Sequence, residues 1–552
     1  MAQPTAGADM TAPTVGADMT LGPDMTSFDE DTALKAKVKN VVVIYMENRS
    51  FDSIFGTFPG ANGIPGVNAT AKGTIAPQTD RDANNTVLAK LPEAYDGVTV
   101  SGQTPVFTAA DSDNKPNAPY SIEATYAGVD YHEVTTDMYH RFFENQMQIH
   151  GGANDKFTAY ADEGGMVMAY FDISKTSLWA LAKQYVLADN FYMGAFGGSF
   201  LNHQYLICGC APEFPGADTA LDAPSFATLD KDANGNFTPS LTINTATSPA
   251  SALDGKVVFV TTGGSVTPLN YFGDGKYYAI NTTQPPYQPS SIAPAAADTT
   301  LLYANPAPTP ATGAIRSPPL PPQTATTIGD TLDAATVAWK FYGGAWKLAT
   351  MTTTQAGHPT PTSGVNVAPT FQYHHYPFNY YAKFDPVNAA TYRAAHLQDY
   401  TDMVSDAAAG TLPAVSFYKP EGDLNQHSGY ASIAAGDASL GDLVTKLQAS
   451  PQWKNMVIVI TYDENGGIWD HVAPPKGDLL GPGTRIPAVI ISPYAKMGTI
   501  DHTQYDTGSI ARFITRRFGL TPLAGITARD QALVKNGGTA MGDLTAALDL
   551  TK

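Results

Sequence analysis

The chain has 552 residues, 43% of them hydrophobic and 15% charged, with 28 Tyr and 24 Phe. That is enough apolar material for a large buried core, and it excludes a globally disordered chain. The net charge of −19 excludes a general basic surface for nucleic acid or an anionic membrane, so a phosphate-bearing ligand must be drawn locally, by a metal or a few placed cations.

Residues 1–37 read as a flexible tail. A small polar phrase recurs at Gly7-Ala8-Asp9-Met10-Thr11 and Gly16-Ala17-Asp18-Met19-Thr20, then shortened at Pro23-Asp24-Met25-Thr26, with no apolar period to fold it. Residues 38–530 read as one core carrying two insertions, a turn-rich one at about 60–120 and a lobe at about 211–325. Within that lobe, 284–323 holds eleven prolines, which bars regular helix and central strand. Residues 531–552 read as a C-terminal segment. Cys208 and Cys210 are the two cysteines; they exclude a disulfide scaffold and a Cys-rich zinc site, and their redox state stays open. No apolar run approaches the eighteen or so residues of a membrane span, so no integral membrane segment is expected, and Met1-Ala2-Gln3-Pro4 does not begin a secretory signal.

Compact apolar runs predict buried parallel strands at 40–46, 185–188, 336–342, 412–418, 456–462 and 486–492. Helices are predicted over 392–409, 439–450 and 508–518. This alternation predicts an α/β fold with an open, mostly parallel central sheet flanked by helices and a smaller inserted lobe. Ligands of such sheets bind beyond the carboxyl ends of the strands.

Two strand ends look alike. The run 40–46 leads into Glu47-Asn48-Arg49-Ser50-Phe51-Asp52, and 456–462 leads into Asp463-Glu464-Asn465-Gly466-Gly467. Four oxygen ligands from two strand ends suit a hard divalent cation, although acidic residues also cap helices and loops. A third element, Gly197-Gly198-Ser199, would let the backbone approach closely and would start a helix at a serine able to attack phosphorus. A plain turn is the ordinary alternative. Among eleven histidines, His374-His375 are adjacent, His427 sits in Gln426-His427-Ser428-Gly429-Tyr430, and His471 follows Trp469-Asp470. Imidazoles can bind phosphoryl oxygens or protonate a leaving alkoxide.

Taken together, these motifs resemble the bacterial acid phosphatase/phospholipase C superfamily over about residues 38 to 520. The resemblance implies an alkaline-phosphatase-like fold and phosphoester hydrolysis through a phosphoserine intermediate. It implies one divalent metal held by Glu47, Asn48, Asp463, Glu464 and Ser199, with Ser199 as nucleophile too. His374, His375 and His427 would line the phosphoryl pocket, and His140 in Asp137-Met138-Tyr139-His140 matches a further site histidine. Asp155, in Gly151-Gly152-Ala153-Asn154-Asp155, matches a recurring aspartate whose role stays open, as does that of His471. Metal identity stays open among Ca²⁺, Mg²⁺, Mn²⁺ and Zn²⁺. The Gly198-Ser199-Phe200 context and the chain end at Lys552 lean toward phosphomonoesters. The alternatives are a phospholipase C-type phosphodiesterase acting on phosphatidylcholine and a non-catalytic metal-containing binding protein. Expected partners are a phosphorylated small molecule or a phospholipid headgroup, without nucleic acid. The resemblance also implies a periplasmic or secreted setting, and protonated site histidines imply an acidic optimum.

Overall fold

Seven consecutive apolar or amide side chains with no polar face can be buried only inside a sheet covered on both sides. Asn40–Met46 (β1) is such a strand, fully buried along its length. It lies in the middle of a nine-stranded sheet in a computed structural model that describes residues 28–218, 226–260, 265–287, 289, 320–350 and 371–552. The other strands are Val186–Tyr192 (β2), Trp339–Gly343 (β3), Leu397–Asp399 (β4), Val415–Lys419 (β5), Met456–Tyr462 (β6), Arg485–Ile491 (β7), Thr499–Asp501 (β8) and Tyr505–Asp506 (β9). Their order is β8-β2-β7-β6-β1-β5-β3-β4, with β9 also paired to β2. Strand β1 is parallel to β6 on one side and to β5 on the other. Helices flank this sheet, giving the α/β architecture expected.

One expected parallel strand runs the other way. Strand β7 is antiparallel to both β6 and β2. A parallel return needs a crossover of a dozen or more residues, usually a helix; residues 463–484 contain no helix, so the chain simply turns back. As a result β7 begins at the edge where its neighbours end, and it delivers Arg485 there.

Other boundaries also differ from expectation. The helix predicted over 392–409 is two helices, Ala390–His396 and Tyr400–Ala409, separated by β4. Leu397, in an extended conformation, ends the first, and Asp399 caps the second, its carboxylate accepting from Thr401 N at 3.0 Å. The helix predicted from 439 begins at Ile433, behind the cap Ser432. The expected tail over 1–37 is shorter, because Glu30–Lys37 is a helix that buries Leu34 and pairs Glu30 and Asp31 with Arg516 at 2.7 Å each. The repeated phrase itself lies outside the described residues, as does most of the proline-rich stretch. At the other end, the helix Ala524–Lys535 straddles the boundary drawn at 530. Met541, Leu544, Leu548 and Leu550 beyond it are buried, so this end packs on the core. The lobe contributes a small antiparallel pair, Leu229–Lys231 with Phe237–Leu241. Cys208 and Cys210 form a disulfide.

Arg485 ties the loops of the two strand-end motifs together. It is fully buried. Its Nε lies 3.0 Å from Asp470 Oδ1, its Nη2 lies 3.0 Å from Asp52 Oδ1, and its Nη1 donates to Asn62 O and Asp189 O. Removing one partner of such a buried network leaves uncompensated charge, which costs about 3–5 kcal/mol. Arg485→Met is therefore expected to lower the urea midpoint sharply, and a midpoint within error of wild type would refute this bracing role.

A second acidic cluster lies beside the His140 segment. Asp162 Oδ1 accepts from Tyr139 N at 2.8 Å, and the neighbouring Glu163 is buried. Burial, then the charges of Asp162 and Asp96, push the Glu163 carboxyl up to about 9. Lys256 faces the cluster, 2.8 Å from Asp96. A carboxyl raised on folding stabilises the fold fully below its unfolded value of about 4.3 and loses that contribution as pH rises through its folded one. The thermal midpoint of the wild type is expected to fall between pH 6 and 9 more steeply than that of Glu163→Gln. Parallel curves would refute this assignment.

Candidate active site

Strands β1 and β6 stay in register up to the pair Met46 and Tyr462. The residues that follow, Glu47-Asn48 and Asp463-Glu464, therefore emerge side by side, and all four are fully buried. Asn48 turns the chain with φ of 59°, a left-handed conformation that asparagine tolerates better than most residues. Asp463 Oδ1 holds this turn, accepting from Asn48 N at 3.1 Å and Glu464 N at 2.8 Å. Gly466 must be glycine, since a Cβ there would stand 2.8 Å from that of Asn48.

Ser199 arrives from a third strand. After β2, Gly197 takes φ of 85° and Gly198 precedes the helix Ser199–Cys208. The Ser199 Oγ lies 2.9 Å from Glu47 Oε2, 3.3 Å from Glu464 Oε1 and 3.5 Å from Asn48 Oδ1. The structure thus brings together all five oxygen-bearing residues expected to hold a metal: Glu47, Asn48 and Glu464 around Ser199 Oγ, with Asp463 beside them.

The donor set fits a cation. One terminal atom of the Asn48 amide lies 2.7 Å from Glu47 Oε2 and 2.8 Å from Glu464 Oε1, and the other lies 2.9 Å from His427 Nε2. With its oxygen turned inward, Asn48 completes a cluster of oxygens whose one shared hydrogen is that of the Ser199 hydroxyl, an arrangement that a cation stabilises; with its nitrogen inward it donates to Glu47 and Glu464 instead. Asp463 Oδ2 is buried without a hydrogen-bond partner. Oxygen ligands alone suit Ca²⁺, Mg²⁺ or Mn²⁺ and are compatible with Zn²⁺.

The electrostatics follow from burial. Burial pushes the Glu47 carboxyl up, but Lys419 and His375 outweigh it and hold Glu47 well below the usual range. Burial, then the charge of Glu47, raise Asp463 and Glu464 well above it. A cation among them would remove the reason for that rise.

The histidines divide into two groups. His140, His374 and His427 line a cavity of about 360 Å³ with Ser199 at its floor. His140 Nδ1 donates to Met138 O at 2.5 Å, which turns its Nε2 toward Glu464, 3.7 Å away. His427 Nδ1 donates to Ser428 O. His374 Nδ1 is buried and unpartnered. His375, expected beside them, turns away from the cavity, its Nε2 lying 2.8 Å from Glu47 Oε1. The reason is local: in the 3₁₀ turn Tyr373–His375, successive side chains point about 120° apart, so adjacent residues cannot share one wall. Burial lowers His374 well below the ordinary imidazole value, lowers His427, and brings His375 to about 4. It works against the imidazolium forms expected at the phosphoryl oxygens, although a neutral imidazole still donates one N–H.

Two site residues escaped the sequence reading. Lys419, the last residue of β5, is buried with its Nζ 2.5 Å from Glu47 Oε1. It falls one position beyond the apolar run expected at 412–418. His203 lies one helical turn after Ser199, and its Nδ1 donates to Ser199 O at 2.7 Å. It stacks on His375 at 5.0 Å. Spacing i, i+4 is the signal that could have found it. By contrast, Asp155 pairs with His150 at 2.8 Å and does not line the cavity, and His471 pairs with Asp52 at 2.7 Å in the Arg485 network.

The family model for the phosphoesterase family matches residues 38–521, a span that includes every residue of this site. The chain belongs to the phosphoesterase family. Phospholipase C B of Mycobacterium tuberculosis is 29% identical to this phosphoesterase over 173 residues, covering 27% of this chain and 32% of that protein. Non-specific phospholipase C1 of Arabidopsis thaliana is 33% identical over 145 residues, covering 21% and 27%. The matched stretch is thus about a third or less of these relatives. A solved structure of an alkaline phosphatase superfamily protein from Vibrio parahaemolyticus aligns with 37% of this chain and 53% of its own, at 15% identity and a TM-score of 0.20; a likeness that slight bears on neither fold nor function.

The Ser199 geometry rests on Gly197. A Cβ there would stand 2.4 Å from Phe142 N, in a left-handed conformation. Gly197→Ala is expected to destabilise this phosphoesterase by at least about 1–3 kcal/mol from backbone strain. An unchanged urea midpoint would show that the turn has slack.

Proposed function

We propose that this chain is a metal-dependent phosphomonoesterase, of the acid phosphatase kind, that works through a phosphoserine at Ser199. The observation that carries the reading is the placement of Ser199 Oγ, within 3.5 Å of Glu47, Asn48 and Glu464, on the floor of a histidine-lined cavity.

Glu47, Asn48, Asp463, Glu464 and Ser199 would hold a divalent cation, which would supply Lewis acidity and a lowered pKa for the serine hydroxyl. Ser199 Oγ attacks phosphorus from one side while the leaving alcohol departs from the other, so the Oγ–P bond forms as the P–O bond to the alcohol breaks. His374 faces a remaining phosphoryl oxygen as a donor, while His427, whose Nδ1 N–H is held by Ser428 O, lines the same wall. His140 is the better placed proton donor for the alcohol, because its Nδ1 is tied to the backbone and its ring is partly open to the cavity. Water then attacks phosphoserine in line and frees inorganic phosphate.

The cavity's chemistry favours a small, polar alcohol over diacylglycerol. Beyond the histidines it is lined by Asp137, Arg141, Ser265, Asn281, Thr282 and Gln372, with Tyr430 the aromatic side chain among its lining residues. The second reading, a phospholipase C-type phosphodiesterase on phosphatidylcholine, draws its support from the names of the relatives. The Cys208–Cys210 disulfide supports a periplasmic or secreted setting, where such bonds persist. No helix among the described residues is long and apolar enough to cross a membrane.

The test is hydrolysis of para-nitrophenyl phosphate and of phosphatidylcholine by wild type and Ser199→Ala, with and without chelator. Expected are monoester turnover well above that of phosphatidylcholine, loss on chelation, and a fall of roughly a thousandfold or more in Ser199→Ala with the fold retained. Phosphatidylcholine turnover in excess would favour the second reading, and full activity in Ser199→Ala would exclude the serine.

A further inference from the structure

We propose that the Lys419 ammonium is the built-in second cation of this site, so that Glu47, Asp463 and Glu464 are balanced by Lys419 and a single divalent ion. The proposal rests on the metal site described above and goes beyond it in assigning the stoichiometry to one side chain.

The two oxygens of Glu47 face opposite ways. Its Oε2 meets Ser199 Oγ at 2.9 Å, on the side of the oxygen cluster. Its Oε1 meets Lys419 Nζ at 2.5 Å and His375 Nε2 at 2.8 Å, on the side away from the cavity. Lys419 is 1% exposed, and its ammonium also donates to Met46 O at 3.2 Å and lies 5.4 Å from the Tyr45 ring centroid. It is held by strand β5 next to β1, so it cannot swing out to solvent. Glu47, Asp463 and Glu464 each have no exposed surface, and three buried carboxylates are tolerable only if their charge is met nearby. One divalent ion meets two of the three charges. Lys419 meets the third, from behind Glu47.

This role has a consequence that a packing role lacks. An ammonium so close to a shared ligand repels the divalent ion through that ligand. Replacing it by a neutral side chain of similar length should make the site bind a divalent ion more tightly, even as it binds a dianionic phosphate less well.

The experiment titrates chelator-stripped protein with Mn²⁺ at pH 8, reading bound metal by elemental analysis and Kd by calorimetry, for wild type, Lys419→Met and Lys419→Arg. Expected are one Mn²⁺ per chain in the wild type and in Lys419→Arg, with similar Kd. Lys419→Met should lower Kd by about tenfold or more, or take up a second ion, and should show a larger rise in Tm on adding Mn²⁺. Two Mn²⁺ in the wild type, or an unchanged or weakened Kd in folded Lys419→Met, would overturn the proposal. If Lys419→Met does not fold, the wild-type stoichiometry and the Lys419→Arg Kd still decide, since two ions or an altered Kd count against it. A wild type that binds no Mn²⁺, Mg²⁺, Ca²⁺ or Zn²⁺ would instead remove the metal site itself.

Discussion

Three carboxylates buried at the ends of two neighbouring strands are the constraint around which the rest of this molecule is arranged. Glu47, Asp463 and Glu464 have no exposed surface, and charges so placed repel one another in a medium that screens them poorly. Everything nearby answers that repulsion. Lys419 and His375 sit against one oxygen of Glu47, backbone N–H groups of Asn48, Glu464 and Gly466 point at the other two carboxylates, and Glu47 Oε2 and Glu464 Oε1 converge on Ser199. A site built in this way is unfavourable without positive charge, which suits it to a cation.

The surroundings hold this arrangement rather than take part in it. Arg485 and its aspartates link the loop after β1 to the loop after β6, and they do so because β7 runs antiparallel and begins where its neighbours finish. The helix Ser199–Cys208 is fully buried on all sides, so the serine at its start is set by packing instead of by a mobile loop. The polar lining of the cavity comes partly from the inserted lobe, through Ser265, Asn281 and Thr282. The oxygen cluster is thus carried by the sheet, and part of the polar cavity wall by the insertion.

Much of the sheet and of the oxygen cluster was legible because both are written in local order. An unbroken apolar run can only be an interior strand, and a run that ends abruptly in Glu-Asn or Asp-Glu marks a strand end with work to do. The serine was legible through Gly197-Gly198, of which Gly197 takes the left-handed conformation that the turn needs. What escaped was whatever depends on partners far along the chain. Lys419 looks like an ordinary charged strand terminus until β5 is laid beside β1. His375 looks equivalent to His374 until the 3₁₀ turn separates them. The direction of β7 is invisible in its composition, because a strand buried on both faces reads the same in either sense.

The amino-acid sequence by itself determined the α/β class, the strands that end in acidic pairs, the glycine turn before Ser199 and the kind of cation the oxygens would favour. These depend on side-chain chemistry and on periodicities of a few residues. Only the tertiary structure decided which of those ends meet, which histidines face the cavity and which stand behind it, and that a buried lysine stands against Glu47. Those outcomes depend on register between strands hundreds of residues apart, such as Met46 beside Tyr462, and register is settled by burying the whole core at once.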